Sequence, residues 1–84
     1  QAEAPGSALA RAEREATMNS RWRNRPLSEL VRTLGKPMLT MDIPGGGTPP
    51  GFVVVYRPDA ATGCIDAFAV TLGRDPVVRL YQCR

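Results

Sequence analysis

The sequence of 84 residues contains no histidine, few aromatic side chains (6%) and no long apolar run. Without histidine, the chain lacks the general base of Ser/His and Cys/His catalysis and the most frequent zinc ligand. No run approaches the roughly 20 apolar residues that a membrane helix needs. These absences exclude the common hydrolase triads and most zinc sites, and we expect no transmembrane helix.

The remaining reactive side chains are also poorly arranged for catalysis. Three serines, Ser7, Ser20 and Ser28, have no evident base, and the eight carboxylates occur singly rather than in pairs. The fold that we expect for this sequence, with two helices on a small sheet, would leave little volume for a ligand pocket. We therefore expect that the protein is not an enzyme and has no cofactor.

The composition is that of one small globular domain, with 43% hydrophobic and 23% charged residues. We interpret residues 1–6 as a disordered leader and 7–84 as a single domain. The net charge of +3 lies wholly in residues 1–37, which hold seven basic and four acidic side chains. This excess is too small to imply nucleic-acid binding by itself.

The two cysteines, Cys64 and Cys83, have no neighbouring cysteine or histidine, so a metal site is not expected. They are either buried thiols or a disulfide. A hairpin centred on Gly73-Arg74 would place them opposite each other, within reach of a bridge, although its turn geometry leaves room for a bulge. We favour the disulfide. Together with a chain that starts at Gln1 rather than Met, it suggests an exported protein.

Two helices are predicted in the first half of the chain. Ser7 can cap a first helix that runs to about Asn24, with a thin apolar face of Leu9, Ala12 and Ala16. A second helix extends from Pro26 or Leu27 to Leu34, where Gly35 and then Pro37 end it.

The first helix also carries a basic strip, because four arginines recur on one helical face: Arg11, Arg14, Arg21 and Arg25. The plainer interpretation, which we favour, is a solvated face partly neutralised by Glu15. The alternative is a surface for anionic lipid, polysaccharide or an acidic partner. Trp22 is expected to pack beneath the second helix rather than to bind a base or a membrane.

The second half of the chain predicts a β-meander. Met38–Ile43 is extended and could form an edge strand, and Phe52–Arg57 is a clear strand. Cys64–Val70 and Val77–Cys83 then form the hairpin. The intervening Pro44–Gly51 loop has three glycines but lacks the Lys-Ser/Thr and helix of a phosphate loop, so we interpret it as a connector. The fold class is α+β, with two helices packed on three antiparallel strands and residues 38–43 as a candidate short fourth.

The two faces of the hairpin differ in composition. One carries Ile65, Ala67, Ala69, Val78 and Leu80, and its small alanines leave room for a helix, so we assign it to the core. The other mixes aromatic and charged side chains and is a candidate partner-binding face. The residues that we assign to this surface are Asp66, Phe68, Arg79 and Tyr81, and Asp66 and Arg79 lie diagonally, where they could pair. The plainer interpretation, an ordinary outer sheet face, is slightly favoured.

The segments Leu27-Ser28-Glu29-Leu30-Val31 and Leu34-Gly35-Lys36-Pro37, followed by strands Phe52–Tyr56 and Val77–Leu80, resemble outer-membrane assembly lipoproteins of the SmpA/OmlA (BamE-like) type. The resemblance covers residues 26–83 and implies a lipoprotein domain at the periplasmic side of the outer membrane. The lipid-carrying cysteine of that family has no counterpart here. The ending with Cys64 and Cys83 is more similar to other small envelope lipoproteins.

These features favour a non-enzymatic cell-envelope module that binds a protein partner or acts as a scaffold. The first alternative is a periplasmic inhibitor or immunity-type protein that binds a secreted hydrolase, for which the 44–51 loop is the best feature. The second is a small basic nucleic-acid-binding protein, which the modest charge and the expected disulfide disfavour.

Overall fold

A computed structural model describes residues 7–42 and 51–84, which form two helices and four strands. Helix α1 spans Ala8–Trp22 and helix α2 spans Leu27–Leu34. The strands are β1 (Leu39–Asp42), β2 (Gly51–Pro58), β3 (Ile65–Thr71) and β4 (Val78–Cys83). The expected leader, residues 1–6, and the greater part of the Pro44–Gly51 loop lie outside the described residues.

Both helices begin and end close to where the sequence predicts. The Ser7 hydroxyl accepts a hydrogen bond from the Ala10 N–H at 3.1 Å, which satisfies one of the unpaired amides of the first turn of α1. Asn24, in the left-handed region at φ +71°, reverses the chain toward α2. Gly35 ends α2 at φ +90°, a conformation that favours glycine.

The four strands form one antiparallel meander in the order β1-β2-β3-β4. Leu39 pairs with Val55 across β1 and β2, and Val54 pairs with Phe68 across β2 and β3. The predicted α+β class is confirmed, and the extended segment at 38–43 contributes the fourth strand.

The disulfide between Cys64 and Cys83 is present, but the predicted hairpin register is wrong by two residues. Asp66 pairs with Cys83 and Phe68 with Tyr81, whereas Cys64 precedes β3 and reaches Cys83 at a Cα separation of 4.9 Å. The cause is a longer connection than a two-residue turn, together with a bulge between Ala69 and Val70. A shift of two residues preserves which side chains share a face.

The assignment of the core to one hairpin face is wrong, since the helices cover the opposite face. Phe68 and Tyr81 are fully buried, whereas Ile65 and Leu80 on the predicted core face are more than a third exposed. Burying aromatic rings removes far more apolar area from water than burying alanines, which decides the side on which the helices pack. The bulge carries Val78 into this core too.

Helix α1 also packs with a different face from the one predicted. Leu9, Ala12 and Ala16 are exposed, and α1 instead places Met18 and Trp22 against the sheet. From α2, Leu30 is fully buried in the same cluster, so Trp22 and α2 share one core as predicted. The sheet side of this core consists of Val54, Tyr56, Phe68, Val70, Val78 and Tyr81.

The outer edge of β4 is covered by α1 and by the connection between the helices. The Asn19 side chain accepts from the Tyr81 N–H at 2.9 Å and donates to the Tyr81 carbonyl at 3.0 Å. Val78 exchanges hydrogen bonds with Asn24 and Arg25 in the same way. The backbone N–H and C=O groups of Val78 and Tyr81 that point away from β3 are thus hydrogen-bonded within the chain. They are not available to pair with another strand.

Candidate functional site

The predicted partner-binding face is largely the core side of the sheet. Phe68 and Tyr81 have no exposed surface, Asp66 is 6% exposed and Arg79 is half-buried. The interpretation of this face as an accessible contact surface is therefore wrong. The Asp66 carboxylate pairs with Arg14 of α1.

Asp66 is the centre of a buried polar network that joins α1 to the sheet. Arg14 donates to both carboxylate oxygens of Asp66, from Nε at 3.0 Å and from a terminal nitrogen at 2.7 Å, and the Tyr81 hydroxyl donates to Oδ1. The hydrogen bond to Asp66 raises the pKa of Arg14 above its usual range, and burial raises that of Tyr81. The guanidinium is fixed in a two-bond geometry that aligns α1 on β3.

A second carboxylate, Asp59 in the β2–β3 connection, lies 3.7 Å from the other terminal nitrogen of Arg14. Its Oδ2 accepts from both the backbone N–H and the hydroxyl of Thr62, at 2.9 and 2.7 Å. The Thr62 hydroxyl is the main cause that lowers the pKa of Asp59. Arg14 thus faces two carboxylates, one inside the core and one at the loop.

The four arginines of the basic strip do not form one exposed surface. Arg11 is half-buried with Nε 3.2 Å from the Cys83 sulfur, and Arg14 is committed to Asp66. Arg21 and Arg25 are exposed, and the Arg21 guanidinium lies 5.1 Å from the centre of the Trp22 ring. The continuous strip is therefore not formed. The helix turns its Arg11–Arg14 side toward the sheet, and Arg25 lies beyond the end of α1, in the connection between the helices.

The opposite, outer face of the sheet is apolar and is not covered by either helix. Val55 and Ala67 form the base of a shallow groove of about 320 Å³, and its sides include Leu39, Met41, Ile65 and Arg84. Leu39 and Met41 are 48% and 47% exposed. This site was not predicted from the sequence. The signal for it is that β2 and β3 carry apolar side chains on both faces of the sheet, which indicates that both faces are to be covered.

A larger cleft of about 630 Å³ lies on the other side, where α2 ends. Its lining combines apolar, cationic and acidic side chains: Leu34, Lys36, Pro37, Met38, Tyr56, Arg57 and Asp66. The Tyr56 hydroxyl donates to the Gly35 carbonyl at 2.9 Å, which fixes one wall, and burial raises the pKa of Tyr56. The fold thus leaves more room for a pocket than we expect from the sequence.

Within residues 7–42 and 51–84, no three metal-ligating side chains lie together, and neither helix is long and apolar enough to cross a membrane. Comparison with protein families, curated proteins and solved structures found no match. The resemblance to SmpA/OmlA-type lipoproteins thus stays a prediction from the sequence.

Proposed function

We propose that this domain is a non-enzymatic binding module of the cell envelope that acts by protein contact through its outer sheet face. The observation that carries the proposal is the apolar groove over Val55 and Ala67, flanked by exposed Leu39 and Met41. An exposed apolar sheet face of this kind is a common feature of protein interaction sites. The partner surface is accordingly an apolar protein surface that covers Met41.

The envelope location is supported by the disulfide, since such bridges persist in oxidising compartments such as the periplasm. The two alternatives receive less support. The hydrolase-inhibitor hypothesis depends on residues 44–51, nearly all outside the described part of the chain. The nucleic-acid hypothesis loses Arg11 and Arg14, whose side chains face the sheet and are engaged with Cys83 and Asp66.

Adjacent positions of β1 provide a matched test of the contact surface. Met41 lies on the groove side, whereas Thr40 is exposed on the other side of the same strand. Met41→Glu and Thr40→Glu add the same charge to the same strand. In affinity capture from envelope extracts, we expect Met41→Glu to lose the partner that the parent protein retains, and Thr40→Glu to keep it.

Circular dichroism and thermal unfolding of both variants check that each is folded. Retention of the partner by Met41→Glu, or its loss in both folded variants, would contradict the outer face as the contact surface. Capture of no specific protein by the parent chain would contradict the proposed function itself.

A further inference from the structure

The cleft at the end of α2 exists because this helix is too short to cover the sheet. Helix α2 has eight residues and ends at Leu34, after which Gly35 and Pro37 lead the chain away toward β1. The inner side of β2 near Tyr56 and Arg57 therefore keeps an open cleft. Its volume of about 630 Å³ falls within the range of small-molecule sites.

The cleft has an excess of positive charge that its own carboxylate does not neutralise. Asp66, its most buried lining residue, is already bound at both oxygens by Arg14. Among the described residues, neither Lys36 nor Arg57 forms an ion pair with a carboxylate. Two cations at the cleft thus remain available for an anionic group.

The rest of the lining favours an apolar group beside that anion. Leu34 and Met38 are 40% and 56% exposed, and Pro37 lies between them along the chain. Covering these side chains would remove apolar surface from water, which is favourable in proportion to the area covered. Cationic and apolar groups therefore face the same space.

We propose that this cleft binds an anionic amphiphile, which is a molecule with a carboxylate or phosphate head and an apolar chain. The head is placed at Lys36 and Arg57, and the chain lies along Leu34, Pro37 and Met38. This site is separate from the outer-face groove and does not depend on the proposed protein contact. The same head-group chemistry occurs in free single-chain molecules and in membrane lipids.

Sodium decanoate and decyl phosphate, used below their micelle concentrations, are the direct probes. Two-dimensional amide NMR reports both the affinity and the location of binding. We expect shifts at residues 34–36, 38 and 56–57, with decanoate bound at least about tenfold more tightly than acetate and than decyltrimethylammonium. Comparison with acetate tests whether the apolar chain of the ligand is needed for binding. Comparison with decyltrimethylammonium tests whether the head group must be negatively charged.

A charge-matched pair of variants tests the two cations. Lys36→Glu/Arg57→Glu should weaken decanoate binding by about tenfold or more, because two attractions become repulsions. Arg32→Glu/Arg74→Glu changes the net charge by the same amount at exposed positions outside the cleft and should leave binding unchanged. Met41→Glu should also leave it unchanged, which keeps this test distinct from that of the outer face.

Co-sedimentation with phosphatidylglycerol vesicles separates the two sources of the ligand. Binding that Lys36→Glu/Arg57→Glu abolishes would assign the head group to membrane lipid, whereas decanoate binding without co-sedimentation would assign it to a free molecule. Both results support the site. Equal affinity for decanoate and decyltrimethylammonium, shifts centred on Leu39 and Met41, equal loss in both double variants, or no binding of any anionic probe would overturn it.

Discussion

At the scale of single residues, Asp66 joins the two layers of the fold through a buried polar contact. The residue is 6% exposed, and its carboxylate receives hydrogen bonds from Arg14 on α1 and Tyr81 on β4. A carboxylate at this depth is tolerated because its charge is paired and hydrogen-bonded. Removal of the arginine would therefore be more harmful than the loss of a surface ion pair.

Arg14→Met should lower the free energy of unfolding by about 2 kcal/mol, since it leaves the Asp66 charge buried without its cation. The value lies below that for a fully enclosed pair because the Arg14 side chain is 26% exposed. Urea denaturation at neutral pH measures the change. Arg21→Met, at an exposed site on the same helix, serves as the control and should change stability by much less.

The double variant Arg14→Met/Asp66→Asn separates pairing from packing, because the asparagine oxygen can still accept from Tyr81. It should be more stable than the sum of the two single effects predicts. Strict additivity would contradict the description of Arg14 and Asp66 as one coupled unit.

Both tyrosines of the chain, Tyr56 and Tyr81, should resist ionisation in the folded protein. Burial raises the pKa of each, and the hydrogen bond to Asp66 adds to this effect at Tyr81. Their contribution to stability is present below the ordinary tyrosine pKa of about 10 and is lost as the pH rises through the folded-state value. Ultraviolet titration of the phenolate absorbance measures the ionisation of the two tyrosines in the folded protein.

At the ordinary tyrosine pKa we expect less phenolate in the native protein than in the denatured chain, in which about half of the tyrosine is ionised. Tyr81→Phe should weaken the fall in stability at alkaline pH. A native titration midpoint equal to that of the denatured chain would show that neither hydroxyl is held in its neutral form.

Among the elements, α1 both covers the core and blocks a sheet edge. The side-chain oxygen of Asn19 accepts a hydrogen bond from the Tyr81 N–H, and its side-chain nitrogen donates to the Tyr81 carbonyl. The same nitrogen also donates to the carbonyl of Glu15, one helical turn earlier. An open edge strand can pair with another chain, and a side chain that occupies its N–H and carbonyl prevents this. The amide thus stabilises the fold and keeps β4 from self-association.

Asn19→Ala should cost about 1–2 kcal/mol, because it leaves two backbone groups of Tyr81 without their partner. It should also increase self-association at high protein concentration. Thermal unfolding and analytical ultracentrifugation measure the two effects. The neighbouring exposed residue gives the control Ser20→Ala, and equal behaviour of the two variants would contradict the edge-blocking role of Asn19.

The elements themselves were largely predictable, because their signals are local. Ser7 marks the start of α1, and Gly35 with Pro37 marks the end of α2. The side of each element that faces the core was not predictable in the same way. Arg14 on α1 and Asp66 on β3 each look like surface residues in the sequence, and only their pairing across 52 positions makes burial acceptable.

The candidate sites were harder to predict for a similar reason. The outer-face groove depends on the pairing of Leu39 with Val55, and the α2 cleft depends on where α2 stops relative to Tyr56. The sheet face that the helices cover is determined by the larger apolar area of Phe68 and Tyr81, not by the small size of Ala67 and Ala69. Burial of the larger area removes more apolar surface from water.

The whole molecule is asymmetric about its sheet. Both helices lie on one face, so a single core holds Trp22, Leu30 and Phe68, while the outer face keeps Leu39 and Met41 exposed. A chain of this length buries a smaller fraction of its surface than larger domains do. A covalent link is therefore a substantial part of what stabilises a one-sided core of this size.

Reduction of the Cys64–Cys83 bridge should lower the free energy of unfolding by about 3 kcal/mol, the loop-closure value for a separation of 19 residues. The bridge ties the start of β3 to the end of β4, beside Arg11, so its loss frees the end of the hairpin that also contains Asp66. Cys64→Ser/Cys83→Ser should reproduce the effect without a reductant. Urea denaturation of the oxidised, reduced and substituted proteins measures it, with the substituted protein treated with reductant as the control. Equal stability of the oxidised and reduced forms would mean that the noncovalent core alone is sufficient to hold the hairpin to α1.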